Sequence, residues 1–167
     1  GPRPHIGLID ELHEHKTNTV VEMMRAGTKS RRQAMIFMIT NAGHNRMGPC
    51  WSYHEYGAKV AAGEVEDDAF FPFVCSLDES DDPFADESCW PKANPSLQDA
   101  DLPGMKYIRE QVVEAKGMPS KEAIVRRLNF CQWTDAESPW ISGEVWRGAQ
   151  RDFDWQDLRG RRAVAGL

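Results

Sequence analysis

No stretch of the 167 residues has the form G-x-x-x-x-G-K-[ST], so this sequence lacks the lysine and the backbone amides with which such a loop cradles nucleotide phosphates. None of the four cysteines (Cys50, Cys75, Cys89 and Cys131) forms a C-x-x-C pair, which weighs against a zinc site and for free thiols in a reducing cytosol. No apolar run approaches the length needed to cross a bilayer, and no signal-peptide pattern is visible. Basic excess is missing too: the net charge is -6, so any contact with nucleic acid must be local rather than spread over the surface. Much of the imbalance comes from Asp78 to Glu87, which reads as a solvated loop. Internal repeats and low-complexity tracts are also absent.

What is present is ordinary for a folded domain. The hydrophobic fraction of 41% and charged fraction of 28% suit a globular chain long enough to bury a sizeable core. The chain opens on Gly1-Pro2-Arg3-Pro4 and runs almost at once into an apolar segment, as at an interior cut or an expression scar.

Pro4 to Ile9 fits a buried strand of a parallel sheet. Lys16 to Arg25 reads as a helix, with Thr17, Asn18 or Thr19 as its N-cap. Ala34 to Thr40 is a second strand. Strand, helix and strand within about 40 residues make a βαβ unit with parallel strands, so an α/β class is expected. Trp51 to Ala62 is a further helix. Ala69 to Leu77 is a third strand candidate, demoted to an edge or a late start by Pro72. Asp78 to Leu102 is loop-rich, and Met105 to Ala115 and Ser120 to Asn129 are two more helices, the second starting at Pro119-Ser120. From Gln132 onward Trp133, Trp140, Trp146 and Trp155 are interleaved with polar residues; packing of a linker accounts for them better than base stacking.

The chemistry concentrates where the first strand ends. Ligands of parallel α/β sheets bind beyond the C-terminal ends of the strands, and there Asp10 and Glu11 follow Ile6-Gly7-Leu8-Ile9 directly. Two adjacent carboxylates divide the labour of phosphoryl transfer. Asp10 suits Mg²⁺ held through water, and Glu11 suits the base that takes or orients the proton of an attacking water. The run alone equally fits a strand that ends in two solvated acids. The second strand adds Thr40 and Asn41 at its end, polar residues placed to bond a γ-phosphate or the attacking water, a contact present before hydrolysis and lost after it. His13-Glu14-His15 lacks the H-E-x-x-H spacing and gives little ground for zinc. Arg25, Lys29, Arg31 and Arg32 form the clearest basic cluster, which a solvated connector at the opposite sheet edge explains.

Taken together, Ile6 to His13, Met35 to Gly43 and Trp90-Pro91-Lys92-Ala93-Asn94-Pro95-Ser96-Leu97 resemble the large terminase subunit of tailed phages. The resemblance implies an N-terminal P-loop ATPase of the additional-strand, catalytic-glutamate class and a C-terminal nuclease of the ribonuclease H type. Carried over by position, Asp10 matches the metal residue of Walker B, Glu11 the catalytic glutamate, and Thr40 and Asn41 the coupling motif. The implied fold is a RecA-like P-loop NTPase fragment, a three-layer αβα sandwich with a helical tail. Residues 1–135 would be the later part of the ATPase domain, and residues 136–167 the linker and first nuclease strand, with Val164 to Leu167 opening that strand. ATP and Mg²⁺ are the implied cofactors. Double-stranded DNA, the portal protein, the small terminase subunit and further copies in a ring are the implied partners. The implied place is the cytoplasm of an infected bacterial host, and transiently the procapsid portal.

Two rivals have distinct consequences. Asp10-Glu11-Leu12-His13 also reads as the box of a DExH helicase, although the strand that follows would then more typically end in Ser-Ala-Thr. A fragment without a phosphate loop would also serve as a non-enzymatic interaction module. An Asp directly after Leu167 favours the nuclease, and a phosphate loop upstream of Gly1 is what the ATPase reading requires. With half an ATP site, these 167 residues alone should show no detectable ATP hydrolysis in a phosphate-release assay; robust turnover abolished by Glu11→Gln would contradict that expectation.

Overall fold

The two apolar runs at the head of the chain pair side by side. The computed structural model describes residues 3–98 and 104–134 and, beyond them, 145, 148–152, 154, 156 and 159–162. Strand β1 (Ile6–Ile9) and strand β2 (Met35–Met38) run parallel, with Ile6 opposite Met35 and Ile9 opposite Met38. Helix α1 (Thr19–Gly27) connects them, giving the expected βαβ unit. Asn18 is the N-cap of α1, but its amide donates to Glu22 Oε1 (2.8 Å) rather than accepting a backbone N–H. Helix α2 (Pro49–Ala61) follows, with Pro49 at its first position, where a missing N–H costs nothing.

Strand alternation sorts the sheet into a covered and an uncovered face. Gly7, Ile9, Ile36 and Met38 turn toward the helices, where Ile9, Leu12, Val21 and Cys50 form a buried cluster with Met24, Tyr53 and Trp133 against it. A side chain at Gly7 would meet Met24 and Ile36 at 3.7 Å, which shows how closely α1 lies on the strands. The opposite face carries Ile6, Leu8, Met35, Phe37 and Ile39, all exposed, with Leu8 at 73%. The expectation of a three-layer sandwich is therefore corrected: among the described residues, helices cover one face of a two-stranded sheet and no third layer is present.

The third strand is corrected as well. Residues 69–77 make no strand. Pro72 has no N–H to give a ladder, and the segment lies across α2 instead. Phe70 stacks near Tyr53 and meets the Tyr56 ring edge-on with centroids 5.1 Å apart, while Pro72 lies 3.2 Å from where a side chain at Gly57 would begin.

The second half of the chain builds its own core. Short helix α3 (Trp90–Ala93), α4 (Gly104–Gly117) and α5 (Pro119–Phe130) surround Trp90, Phe130, Ile108, Val112 and Val125. Helices α4 and α5 pack on each other, as their apolar spacing predicts. Trp90 is 1% exposed, its ring centroid is 5.7 Å from that of Phe130, and its indole N–H donates to the Pro83 carbonyl (2.8 Å). Nearby, Lys92 bridges Asp78 (2.7 Å) and Asp81 (2.8 Å), so part of the acidic stretch is tied down. The Lys92 ammonium in turn holds the Asp81 carboxyl below the usual carboxylate range. No helix among the described residues is long and apolar enough to cross a membrane.

The turn after β1 carries backbone strain. Glu11 sits at φ 50°, ψ 51°, the left-handed region that disfavours residues with a Cβ. Comparing Glu11→Gly with Glu11→Ala cancels the lost carboxylate, so the glycine variant should be the more stable by about 1 kcal/mol in urea unfolding. Trp90→Ala should cost about 3–5 kcal/mol in the same assay, since it removes a buried ring and leaves the Pro83 carbonyl without its donor.

Candidate functional site

The parallel register sets the site. The ladder continues one step past the strands through Ile39 N–H to Ile9 O (3.0 Å), and the chain then crosses back with Leu12 N–H to Ile39 O (3.4 Å). Asp10 and Glu11 therefore leave β1 at the same edge where Thr40 and Asn41 leave β2. Both carboxylates are exposed. Asp10 Oδ1 accepts the Glu11 N–H (2.9 Å), which closes the turn that holds Glu11 in its left-handed conformation.

His13, which the sequence offered as a weak metal ligand and as the last residue of a DExH-like box, stands between the two motifs. It lies in a short 3₁₀ turn, Leu12–Glu14, anchored by the buried Leu12 side chain. Its own side chain is only 4% accessible. Nδ1 is 3.0 Å from Glu11 Oε2 and 3.1 Å from Thr40 Oγ1, and Nε2 is 3.2 Å from Glu14 Oε1. The His13 backbone N–H donates to Thr40 Oγ1 (2.9 Å) as well. Glu11 and Thr40 are thus brought together through one imidazole. The signal available in the sequence is the order Asp10-Glu11-Leu12-His13, which places an imidazole one short turn after the acids.

Asn41 is held differently. Its side-chain oxygen lies 3.8 Å from the Cys131 thiol, and its backbone carbonyl accepts the Thr40 hydroxyl (2.9 Å) and faces Cys50 Sγ at 3.8 Å. Burial pushes the Cys50 and Cys131 thiols up, so both serve as neutral S–H donors. All four cysteines are free. Asn41 thus faces Cys50, Cys131 and Thr40 rather than Asp10 or Glu11.

The loop after Asn41 is fastened to the second half of the chain. Ala42 and Gly43 are buried, and a side chain at Gly43 would meet the Trp133 ring at 3.2 Å. Trp133 meets Trp51 of α2 edge-on with centroids 4.7 Å apart. Arg127 of α5, 6% exposed, bonds His44 Nδ1 (3.1 Å). Trp133 therefore packs against the first core rather than standing free. Trp140, Trp146, Trp155 and Val164 to Leu167 lie outside the described residues.

Metal ligation at the edge rests on few groups. Among the described residues no three metal-ligating side chains converge. A single exposed carboxylate does fit Mg²⁺, which keeps most of its waters and needs few protein ligands. Asp10 is such a carboxylate: its Oδ1 takes the Glu11 amide, and among the described residues no side chain bonds its Oδ2. The basic cluster sits at the other end of the strands: Arg31 donates to the Arg3 carbonyl (3.0 Å) and Arg25 lies over the Tyr53 ring. That matches a connector.

Three comparisons bear on what this geometry belongs to. The chain is 29% identical over 154 residues to the protein YmfN of Escherichia coli K12, a match that covers 90% of this chain and 32% of that protein. The chain thus spans about a third of the length of the curated relative it matches. The crystal structure of the HK97 bacteriophage large terminase superposes with a TM-score of 0.64 at 20% identity, over 88% of this chain and 29% of that one; this likeness concerns the fold. The family model of the terminase large subunit, endonuclease domain, matches residues 64–167 and so begins inside the 1–135 span that the sequence assigns to an ATPase. That match takes in more than half of the residues, and the chain belongs to the terminase large subunit, endonuclease domain, family.

Proposed function

We propose that this chain is the part of a terminase large subunit that joins the catalytic edge of an ATPase to the nuclease, in a motor that drives double-stranded DNA into a viral capsid. The observation that carries the reading is the meeting of Glu11 and Thr40 on His13, at the C-terminal edge of two parallel strands. Membership in the terminase family supports the packaging role. The exposed apolar face of the sheet is what a further layer of a P-loop NTPase sandwich would cover.

In this reading residues 1–135 hold the later part of the ATPase domain and residues 136–167 the link onward to the nuclease. Glu11 takes or orients the proton of the water that attacks the γ-phosphate of ATP. Asp10 holds Mg²⁺ through water, and the ion when bound neutralises charge on the phosphates. Thr40 and Asn41 report whether the γ-phosphate is there, because their contacts to it exist only before hydrolysis. The phosphate loop and an arginine finger come from other parts of the complete protein or from neighbouring copies in a ring. The portal protein and small terminase subunit are its partners, in the cytoplasm of the infected host.

A second reading, DNA cleavage by residues 64–167 themselves, has the family description behind it. Among the described residues of that span no metal-binding cluster forms, and Asp78 and Asp81 are engaged by Lys92. Cleavage is therefore assigned to the complete protein.

In the complete protein, Glu11→Gln should lower ATP turnover by about two to four orders of magnitude while ATP binding persists. Unchanged turnover in that variant, measured by phosphate release beside nucleotide binding, refutes the assignment of Glu11.

A further inference from the structure

The imidazole of His13 stands between Glu11 and Thr40, and a single ring nitrogen faces both. Thr40 has one hydroxyl proton and two lone pairs. The proton goes to the Asn41 carbonyl (2.9 Å), and one lone pair takes the His13 backbone N–H (2.9 Å). The remaining lone pair can accept the proton on His13 Nδ1, at 3.1 Å, with the Cys50 thiol at 3.6 Å as a weaker rival donor. Glu11 Oε2 lies 3.0 Å from the same nitrogen in an ion-pair contact; a carboxylate only accepts, so it is placed to draw that proton away from Thr40. Nδ1 carries a single proton, so strengthening one bond weakens the other. The other face of the ring is held by Glu14 at 3.2 Å, and the side chain is almost sealed from solvent, so the imidazole can turn little.

We propose that His13 is the positioning residue that makes Glu11 and Thr40 answer to each other, by sharing its one Nδ1 proton between them. This rests on the reading of Glu11 and Thr40 given above. With Thr40 engaged by Asn41 and the His13 backbone, Nδ1 is free to hold the Glu11 carboxylate against His13, away from an attacking water. When Thr40 shifts toward a γ-phosphate, the balance at Nδ1 changes, and with it the restraint on Glu11. The restraint is local and steric as well as electrostatic, since Glu11 already sits in a left-handed turn with few alternative backbone positions. No bond to the nucleotide is required of His13. It acts only through the two residues it touches.

Two arms test this. In the 167-residue chain, ¹⁵N NMR of the imidazole reads the His13 Nδ1 resonance without nucleotide. Glu11→Gln and Thr40→Val should each move that resonance, and a resonance that ignores either substitution overturns the sharing. In the complete protein, His13→Ala should lower kcat by about ten- to a hundredfold, with KM for ATP changed less than about twofold. His13→Asn, whose amide N–H stands near the Nδ1 position, should recover part of that loss. Native-like tryptophan fluorescence establishes that each variant is folded. A rise in KM with unchanged kcat, or equal loss in the Ala and Asn variants, leaves His13 as packing only and overturns the proposal. The NMR arm needs no turnover, so failure of the sharing is distinguishable from failure of the Glu11 assignment, on which Glu11→Gln turnover reports separately.

Discussion

Ile9 pairs with Met38 in a parallel ladder, and the bond from Ile39 N–H to Ile9 O carries the pairing one residue beyond the strands. A parallel pair leaves both C-terminal ends on one edge. The contacts that bring Glu11, His13 and Thr40 together depend on that register. A slip of one residue would turn Ile9 and Met38 to the open face and carry Thr40 out of reach of His13. The register is held by the apolar side chains that face the helices: Ile9, Ile36 and Met38 against Val21, Met24 and Cys50. At Gly7 the helix lies directly over the strand, where a Cβ would rest in ordinary van der Waals contact with Met24 and Ile36.

The site edge is also tied to a second core. Trp133 packs on the first cluster while Phe130, three residues earlier, is buried in the other, and the Phe130 carbonyl accepts the Leu77 N–H (3.3 Å). Between them Cys131 takes the left-handed conformation at φ 50°, which ends α5 and directs its thiol toward Asn41. A few residues after α5 thus link the helical core to the loop that follows Thr40. Such short links transmit displacement because neither side is free to deform continuously.

The strands and helices were legible because their periodicities are local, and so was the shared edge, since a βαβ unit dictates it. Ala69 to Leu77 misled because an apolar run states only that side chains seek cover; Pro72 and the aromatic face of α2 supply that cover without a ladder. The layer count misled for a related reason. Strands buried on both faces and strands with one bare apolar face have the same composition. His13 escaped notice because its role is set by a residue 27 positions away, and nothing in its immediate neighbourhood points to Thr40. Asp10 and Glu11 were legible as adjacent acids at a strand end, but the αL turn at Glu11 was not, since glutamate is an unusual residue there.

Arg127 shows that the link from α5 to the site is geometric more than stabilising. It is nearly buried, its Nε has no hydrogen-bond partner, and among the described residues no carboxylate pairs with it. Taking a cation out of water costs roughly several kcal/mol after relaxation, and one bond to a ring nitrogen does not offset that. A guanidinium has no acceptor, so His44 Nδ1 must present its lone pair, which fixes the ring as the tautomer protonated at Nε2. The pair therefore holds only while His44 is neutral and only at one orientation. His44 lies three residues beyond Asn41, in the loop whose buried Gly43 also packs against Trp133. A costly bond placed there constrains where the loop after Asn41 can sit relative to α5, which an apolar side chain of the same volume would do less specifically.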